Sequence, residues 1–239
     1  MTRRNLRLTA WSSGANWRDA RVNIPCPSPG DAGATLDGGD KWVEVVRRQH
    51  KPELVVFANL LTSAECDALM AAAKPRLSRS LTVDTHTGNE ELHPDRTSQG
   101  MFFERFENDV VQRVETRIAR LLHWPVKNGE GLQVLRYRKG AQYLPHYDYF
   151  DPLQAGTPAL LARGGQRVAT LIIYLAEPEA GGATVFPDLD LQVVPKRGQA
   201  VFFSYPDPLP SSLLLHGGAP VVAGEKWIAT KWLRQHEFT

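Results

Sequence analysis

Apolar residues are sparse and aperiodic over roughly the first fifty positions. Turn formers dominate there, in Pro25-Cys26-Pro27-Ser28-Pro29-Gly30 and between Gly33 and Asp40. From Pro52 the pattern tightens. Leu54-Val55-Val56-Phe57 reads as a short strand, and Thr62-Ser63-Ala64-Glu65 as a capping box in which Thr62 accepts from the Glu65 amide while Glu65 reaches back. The helix it opens carries Cys66, Leu69, Met70 and Ala73, and Pro75 closes it. A polar, loop-like stretch over 84–98 follows. A second helix is predicted from about Asn108 to His123, because Val110, Val111, Val114, Ile118, Leu121 and Leu122 form one stripe at helical spacing before Trp124-Pro125.

The character then changes. Leu132 to Tyr137, Val168 to Leu175, Gln199 to Ser204, Ser212 to His216 and Lys226 to Leu233 all read as strands separated by Gly, Pro and Asp clusters. Helices followed by several short strands indicate an α+β fold whose C-terminal strands close into a sandwich or barrel. Residues 1–50 are read as an N-terminal arm and 51–239 as the folded domain. Trp11, Trp17 and Trp42 give the arm apolar surface to dock on the domain or on a second subunit, so the oligomeric state stays open.

Charge narrows the partners. With 28 basic and 26 acidic residues in 239, the net charge of +2 is too near neutral for a nucleic-acid-binding surface. No apolar run reaches the length of a membrane span, and none follows the N-terminal arginines as in a signal peptide. The expectation is a cytoplasmic protein that binds neither nucleic acid nor membrane. Two cysteines, Cys26 and Cys66, cannot build a disulfide framework or a four-cysteine zinc site and are expected as free thiols.

Candidate chemistry centres on His146-Tyr147-Asp148. In a strand, residues two apart share a face, so imidazole and carboxylate would lie side by side. A metal needs a third ligand, for which His216, at the end of an apolar run, is the best candidate. Two histidines and one carboxylate on one face of an octahedron suit non-haem Fe(II). His93-Pro94-Asp95 has the same spacing but lies in a proline-broken polar stretch that would not align its side chains. Beyond His216 a Gly-rich turn returns the chain as a strand. Alternation there places Lys226, Ile228, Thr230 and Trp232 on one face and Trp227, Ala229, Lys231 and Leu233 on the other. A lysine aimed into a core beside a metal is costly unless it meets an anion, and a dicarboxylate chelating that metal would satisfy both. Tyr174 shares a face with Thr170 and Ile172 and is placed to add a hydroxyl to the same pocket.

Several blocks carry a family resemblance. Leu132 to Tyr137, Tyr143 to Phe150, Gly164-Gly165-Gln166-Arg167, Gly181 to Pro187, His216 to Val221 and Gly224 to Trp232 occur in an order similar to that of the prolyl 4-hydroxylases, of bacterial type, in the 2-oxoglutarate- and Fe(II)-dependent oxygenase superfamily. The resemblance spans roughly residues 52 to 236. It implies a double-stranded β-helix (jelly-roll) core flanked by helices. It also implies iron on His146, Asp148 and His216, and Lys226 pairing with the 5-carboxylate of 2-oxoglutarate, helped by Tyr137, Tyr174 and Thr230. Arg96, Ser98, Glu130, Tyr143, Arg167 and Trp232 resemble positions that handle the peptide. Two departures bear on collagen-like specificity: the segment between Phe186 and Val201 is short, and Arg234 stands where some relatives have histidine.

The chemistry so implied is hydroxylation of an unactivated C–H by O2, coupled to decarboxylation of 2-oxoglutarate to succinate and CO2, with ascorbate as reductant. Asp148 argues against a halogenase, which lacks the carboxylate. The expected substrate is a prolyl residue in a peptide or protein, to which Tyr143, Tyr147, Tyr149 and Phe150 would offer aromatic surface. Two other readings remain at this stage. One applies the same iron chemistry to a free amino acid, another small molecule or a damaged nucleobase. The other is a catalytically inactive module that binds proline-rich segments.

Overall fold

The computed structural model describes residues 24–239 apart from Pro29, Leu81, 84–89 and 92–96, with the backbone alone described at 82, 83, 90 and 91. Trp11, Trp17, Arg96 and the His93-Pro94-Asp95 motif lie outside the described residues.

Two antiparallel sheets form the frame. The larger has nine strands in the order Thr35–Asp37, Trp42–His50, Glu53–Ala58, Ala200–Ser204, Arg167–Ala176, Lys226–Arg234, Leu132–Tyr137, Gln99–Phe103 and Ser78–Arg79. The smaller has four, in the order Leu191–Val193, Thr184–Phe186, His216–Gly218 and Tyr143–His146. Strand alternation divides the interior in two. Val55, Phe57, Leu171, Ile173, Phe202, Val134 and Ala229 point to one side of the large sheet and pack under the helices Ser63–Ala73 and Asp109–Leu122. Their neighbours Val56, Ile172, Tyr174, Phe203, Leu135 and Ile228 point to the other side and meet Phe186, Leu191 and Val193 of the small sheet. This is the jelly-roll frame with flanking helices that the sequence led us to expect. The site lies on the inner side of the large sheet.

Both helices form for the reasons legible in the sequence. Thr62 Oγ1 accepts from the Glu65 amide and the Glu65 carboxylate accepts from the Thr62 amide, the reciprocal cap. Asn108 Oδ1 caps the second helix through the Val111 amide, and His123 ends it in the left-handed conformation. Val111, Val114, Ile118, Leu121 and Leu122 are all buried.

Two expectations need correction. Residues 35–50 are not an arm: Thr35–Asp37 and Trp42–His50 are the first two strands of the large sheet, and Val43 and Val45 are fully buried. A bulge between Val45 and Arg47 leaves Val46 exposed and breaks the period-two signal, which is why the stretch reads as irregular. Nor do residues 212–215 form a strand. Pro210–Ser212 is a short 3₁₀ turn and Leu213 is left-handed, so pairing starts only at His216.

Behind the sheet lies a charge pair that sequence reading did not anticipate. Lys231 Nζ donates to the Glu115 carboxylate on the second helix and to the Glu130 carbonyl, with all of these groups buried. Removing one partner of such a pair strands the other charge, so Lys231→Met should lower stability by about 3 kcal/mol or more in a denaturant titration. An unchanged midpoint would show that the pair contributes nothing.

Candidate active site

His146 closes its strand, and Asp148 lies on the bend just beyond rather than farther along the same strand. His216 opens the neighbouring strand and is the register partner of His146, so pairing of the two strands, not local spacing, sets the imidazoles side by side. Gly217 permits that approach: a Cβ there would lie 2.8 Å from the Tyr143 carbonyl oxygen. The donor atoms of His146, Asp148 and His216 all lie within 4.8 Å of one another. His146 Nε2 is 3.6 Å from Asp148 Oδ1, and His216 Nε2 is 3.3 Å from Oδ2.

The hydrogen bonds fix which ring nitrogens are free. His146 Nδ1 donates to the Leu144 carbonyl at 2.8 Å and His216 Nδ1 to the Leu214 carbonyl at 3.0 Å. Each ring then turns its Nε2 to the shared space, the arrangement a metal requires. Burial lowers the His146 pKa, with His216 adding to the effect. Burial would raise the Asp148 carboxyl, but the imidazoles of His216 and His146 outweigh it and hold the group well below the usual carboxylate range. Two imidazoles and one ionised carboxylate, with Asp148 and His216 buried and His146 half-buried, make a donor set that fits Fe(II).

The same pocket is lined by Lys226, Thr230, Thr184, Ile172, Ile228 and Leu135. The alternation read from the sequence holds, with Lys226, Ile228, Thr230 and Trp232 all facing the pocket. Lys226 is 3% exposed, and no carboxylate among the described residues lies within ion-pair distance. Its Nζ sits 5.6 Å from the Tyr137 ring centroid and 5.8 Å from that of Tyr174. Burial alone pushes its pKa down to about 8. Gly182, at φ +69°, lets the lysine stem pass where a Cβ would come within 3.3 Å of Lys226 Cδ. A buried cation without a counter-ion next to a metal-ligand set is a place for an anion that also touches the metal.

Comparison with known proteins agrees. Residues 132–234 match the 2OG-Fe(II) oxygenase superfamily. Prolyl 4-hydroxylase 5 of Arabidopsis thaliana is 40% identical over 91% of this chain and 79% of its own length. The chain belongs to the prolyl 4-hydroxylase family. Prolyl 4-hydroxylase 1 of the same plant is 41% identical over 77% of this chain and 69% of its own length. Among solved structures, the 2OG complex of a viral collagen prolyl hydroxylase from Paramecium Bursaria Chlorella virus-1 superposes with a TM-score of 0.58 at 31% identity, covering 76% of this chain and 95% of that one. A prolyl hydroxylase from Trichoplax adhaerens, solved with a peptide fragment, shares the fold at a TM-score of 0.57 and 16% identity, covering 78% and 85%. The enzyme is therefore a 2-oxoglutarate-dependent dioxygenase with Fe(II) as its metal.

The expected peptide-handling positions fare unevenly in the structure. Tyr143 stacks on the His146 ring at 3.7 Å and lines the pocket. Trp232 lines it too, with the Arg167 guanidinium 3.9 Å from its ring centroid. Glu130 acts at one remove. Its carboxylate is buried and accepts from Arg167 at 2.7 and 2.9 Å and from Arg234 at 2.9 Å, so it fixes Arg167 rather than facing a peptide. Ser98 is a correction: it is 1% exposed and its hydroxyl donates to Ser80 Oγ at 2.9 Å, behind the surface.

Sequence reading missed Thr184, whose hydroxyl accepts from the Tyr174 phenol at 2.9 Å inside the pocket. Tyr174 thereby takes its place through a partner in the small sheet. Phe102, half-exposed and 6.2 Å from Trp232 between ring centroids, extends the aromatic rim and was likewise unforeseen. Its position opposite an inward-facing tryptophan comes only from sheet pairing.

Two expectations follow for the cosubstrate. Lys226→Ala should raise the 2-oxoglutarate KM by at least about 30-fold, as loss of one partner of a buried charge pair costs about 2–5 kcal/mol; an unchanged KM would place the anion elsewhere. The cation that binds the anion is full below pH about 8 and lost above it. The 2-oxoglutarate Kd should therefore be flat below that pH and weaken by up to about tenfold per unit above it, measured by calorimetry on Mn(II)-loaded enzyme. A profile flat through pH 9 would contradict a titrating Lys226.

Proposed function

We propose that this enzyme hydroxylates a prolyl residue within a peptide or protein, using O2 and 2-oxoglutarate, with succinate and CO2 as co-products and ascorbate keeping the iron ferrous. One observation carries the reading: a two-histidine, one-carboxylate set, half-buried at His146 and buried at Asp148 and His216, and a buried lysine with no carboxylate partner among the described residues line one pocket, and that pocket opens on an aromatic rim. Relatives named prolyl 4-hydroxylase at about 40% identity support the same substrate class.

Each residue has a separable task. His146, Asp148 and His216 hold the iron, which supplies the activation of O2 coupled to decarboxylation of 2-oxoglutarate. Lys226 neutralises the distal carboxylate of 2-oxoglutarate, with Thr230 and the Tyr174–Thr184 pair beside it. Leu135, Ile172 and Ile228 line the pocket with hydrocarbon, which suits the methylene stem and keeps water from the reacting end. Near the rim, Trp232 Nε1 is buried and finds no acceptor among the described residues. A peptide carbonyl laid along the rim would satisfy that N–H, which otherwise carries the cost of an unmade hydrogen bond. Arg167, clamped by Glu130, braces the indole from behind. An extended proline-rich chain loses little entropy on docking against such aromatic surface.

Mass spectrometry of proline-containing peptides incubated with Fe(II), ascorbate and 2-oxoglutarate should show a gain of one oxygen on proline, stoichiometric with succinate, and neither product with His146→Ala. Succinate release without oxidised proline in any peptide would refute the substrate assignment while leaving the dioxygenase intact.

A further inference from the structure

The metal-binding carboxylate is held by a hydroxyl chain that no ligand needs to complete. Asp148 Oδ2 accepts from Thr170 Oγ1 at 2.8 Å. The Thr170 hydroxyl lies in turn within hydrogen-bond distance of the Tyr205 phenol. Thr170 is fully buried and Tyr205 is 2% exposed, so water does not compete for either group. Proton counting gives the chain a direction. The one hydroxyl proton of Thr170 goes to the carboxylate, which at Oδ2 has none to give, so Tyr205 must donate to Thr170.

Backbone pairing fixes both donors. Thr170 sits mid-strand, opposite Phe203 on one side and Trp232 on the other. The Tyr205 amide donates to the Val168 carbonyl at 2.9 Å, and its ring packs edge-on against Tyr149 and Phe203, each 5.9 Å away between centroids. Phe203 then packs edge-on to His216 at 4.6 Å. Burial raises the Tyr205 pKa well above the usual phenol value, with Asp148 adding to the effect, so the proton that makes it a donor stays in place.

We propose that Thr170 and Tyr205 are positioning residues for the iron ligand Asp148. They hold Oδ2 so that the carboxylate cannot rotate about its last torsion, which keeps Oδ2 facing His216 Nε2 at 3.3 Å and Oδ1 facing His146 Nε2 at 3.6 Å. This rests on the metal-centre reading above. Carboxylate ligands fixed by outer hydrogen bonds bind metal more tightly than free ones, typically by about 10- to 100-fold. The chain also accounts for a fully buried threonine in the strand Arg167–Ala176, whose inner face otherwise carries Ile172 and Tyr174.

Metal titration of the purified apo-protein tests the proposal without turnover. Mn(II) affinity is read by water-proton relaxation, and the ligand field by the visible spectrum of the Co(II) form. Thr170→Val keeps the side-chain shape and removes the hydroxyl. It should weaken Mn(II) by about 10- to 100-fold and shift the Co(II) bands, whereas Thr170→Ser should stay within about threefold of wild type. Tyr205→Phe leaves the Thr170–Asp148 bond but frees its donor to turn, so a smaller loss, about three- to tenfold, is expected. If Thr170→Val fails to fold, Tyr205→Phe decides. Wild-type affinity and an unshifted Co(II) spectrum in the folded variants would overturn the proposal, even with a lowered Tm. Wild-type protein that binds neither metal would instead bring down the metal-centre reading itself, and the proposal with it.

Discussion

Burying charge between two sheets is the constraint on which this molecule turns. One carboxylate, two imidazoles and an ammonium lie among aliphatic and aromatic side chains, with the hydroxyls of Thr170, Thr184 and Thr230 beside them. Among the described residues the carboxylate meets the two imidazoles and the Thr170 hydroxyl, and the ammonium lies over the rings of Tyr137 and Tyr174 with no carboxylate in ion-pair distance. Desolvation of that kind is tolerated where ligands complete the site: a cation among the three donors, and a dianion reaching from that cation to Lys226. The unmatched charges are thus the record of what the fold holds.

The frame around them is over-determined by hydrogen bonds, not by packing alone. Backbone carbonyls of Leu144 and Leu214 set the two imidazole tautomers, and a strand register sets their separation. Glu130 fixes two arginines, one of which backs the tryptophan at the rim. On the far side of the sheet the Glu115–Lys231 pair anchors the second helix to the strand that carries Lys226 and Thr230 inward. Adjacent residues of one strand therefore serve opposite layers, the odd positions holding the scaffold and the even ones the chemistry.

Much of this was legible one residue at a time. The helical stripe, the reciprocal cap and the alternation in Lys226 to Leu233 are local signals governed by periods of 3.6 and 2, and they survive into the structure unchanged. His146, Asp148, His216 and Lys226 were legible because the blocks that carry them resemble the motifs of a family. The strand Trp42–His50 was not, since a bulged residue inverts the alternation half-way along. Ser98 misled for the opposite reason: a hydroxyl in a polar stretch gives no sign that a second serine buries it.

What the chain determined by itself is the chemistry on offer: which donors exist, which faces of which strands they occupy, and that a lysine and a threonine point inward together. What only the tertiary structure decided is how those donors are aimed. The meeting of His146 with His216, the hold of Thr170 on Asp148, and the clamp of Glu130 on Arg167 and Arg234 all join residues distant in sequence. Their partners are chosen by strand order and register, quantities that arise from the summed burial of two sheets and that no local period encodes.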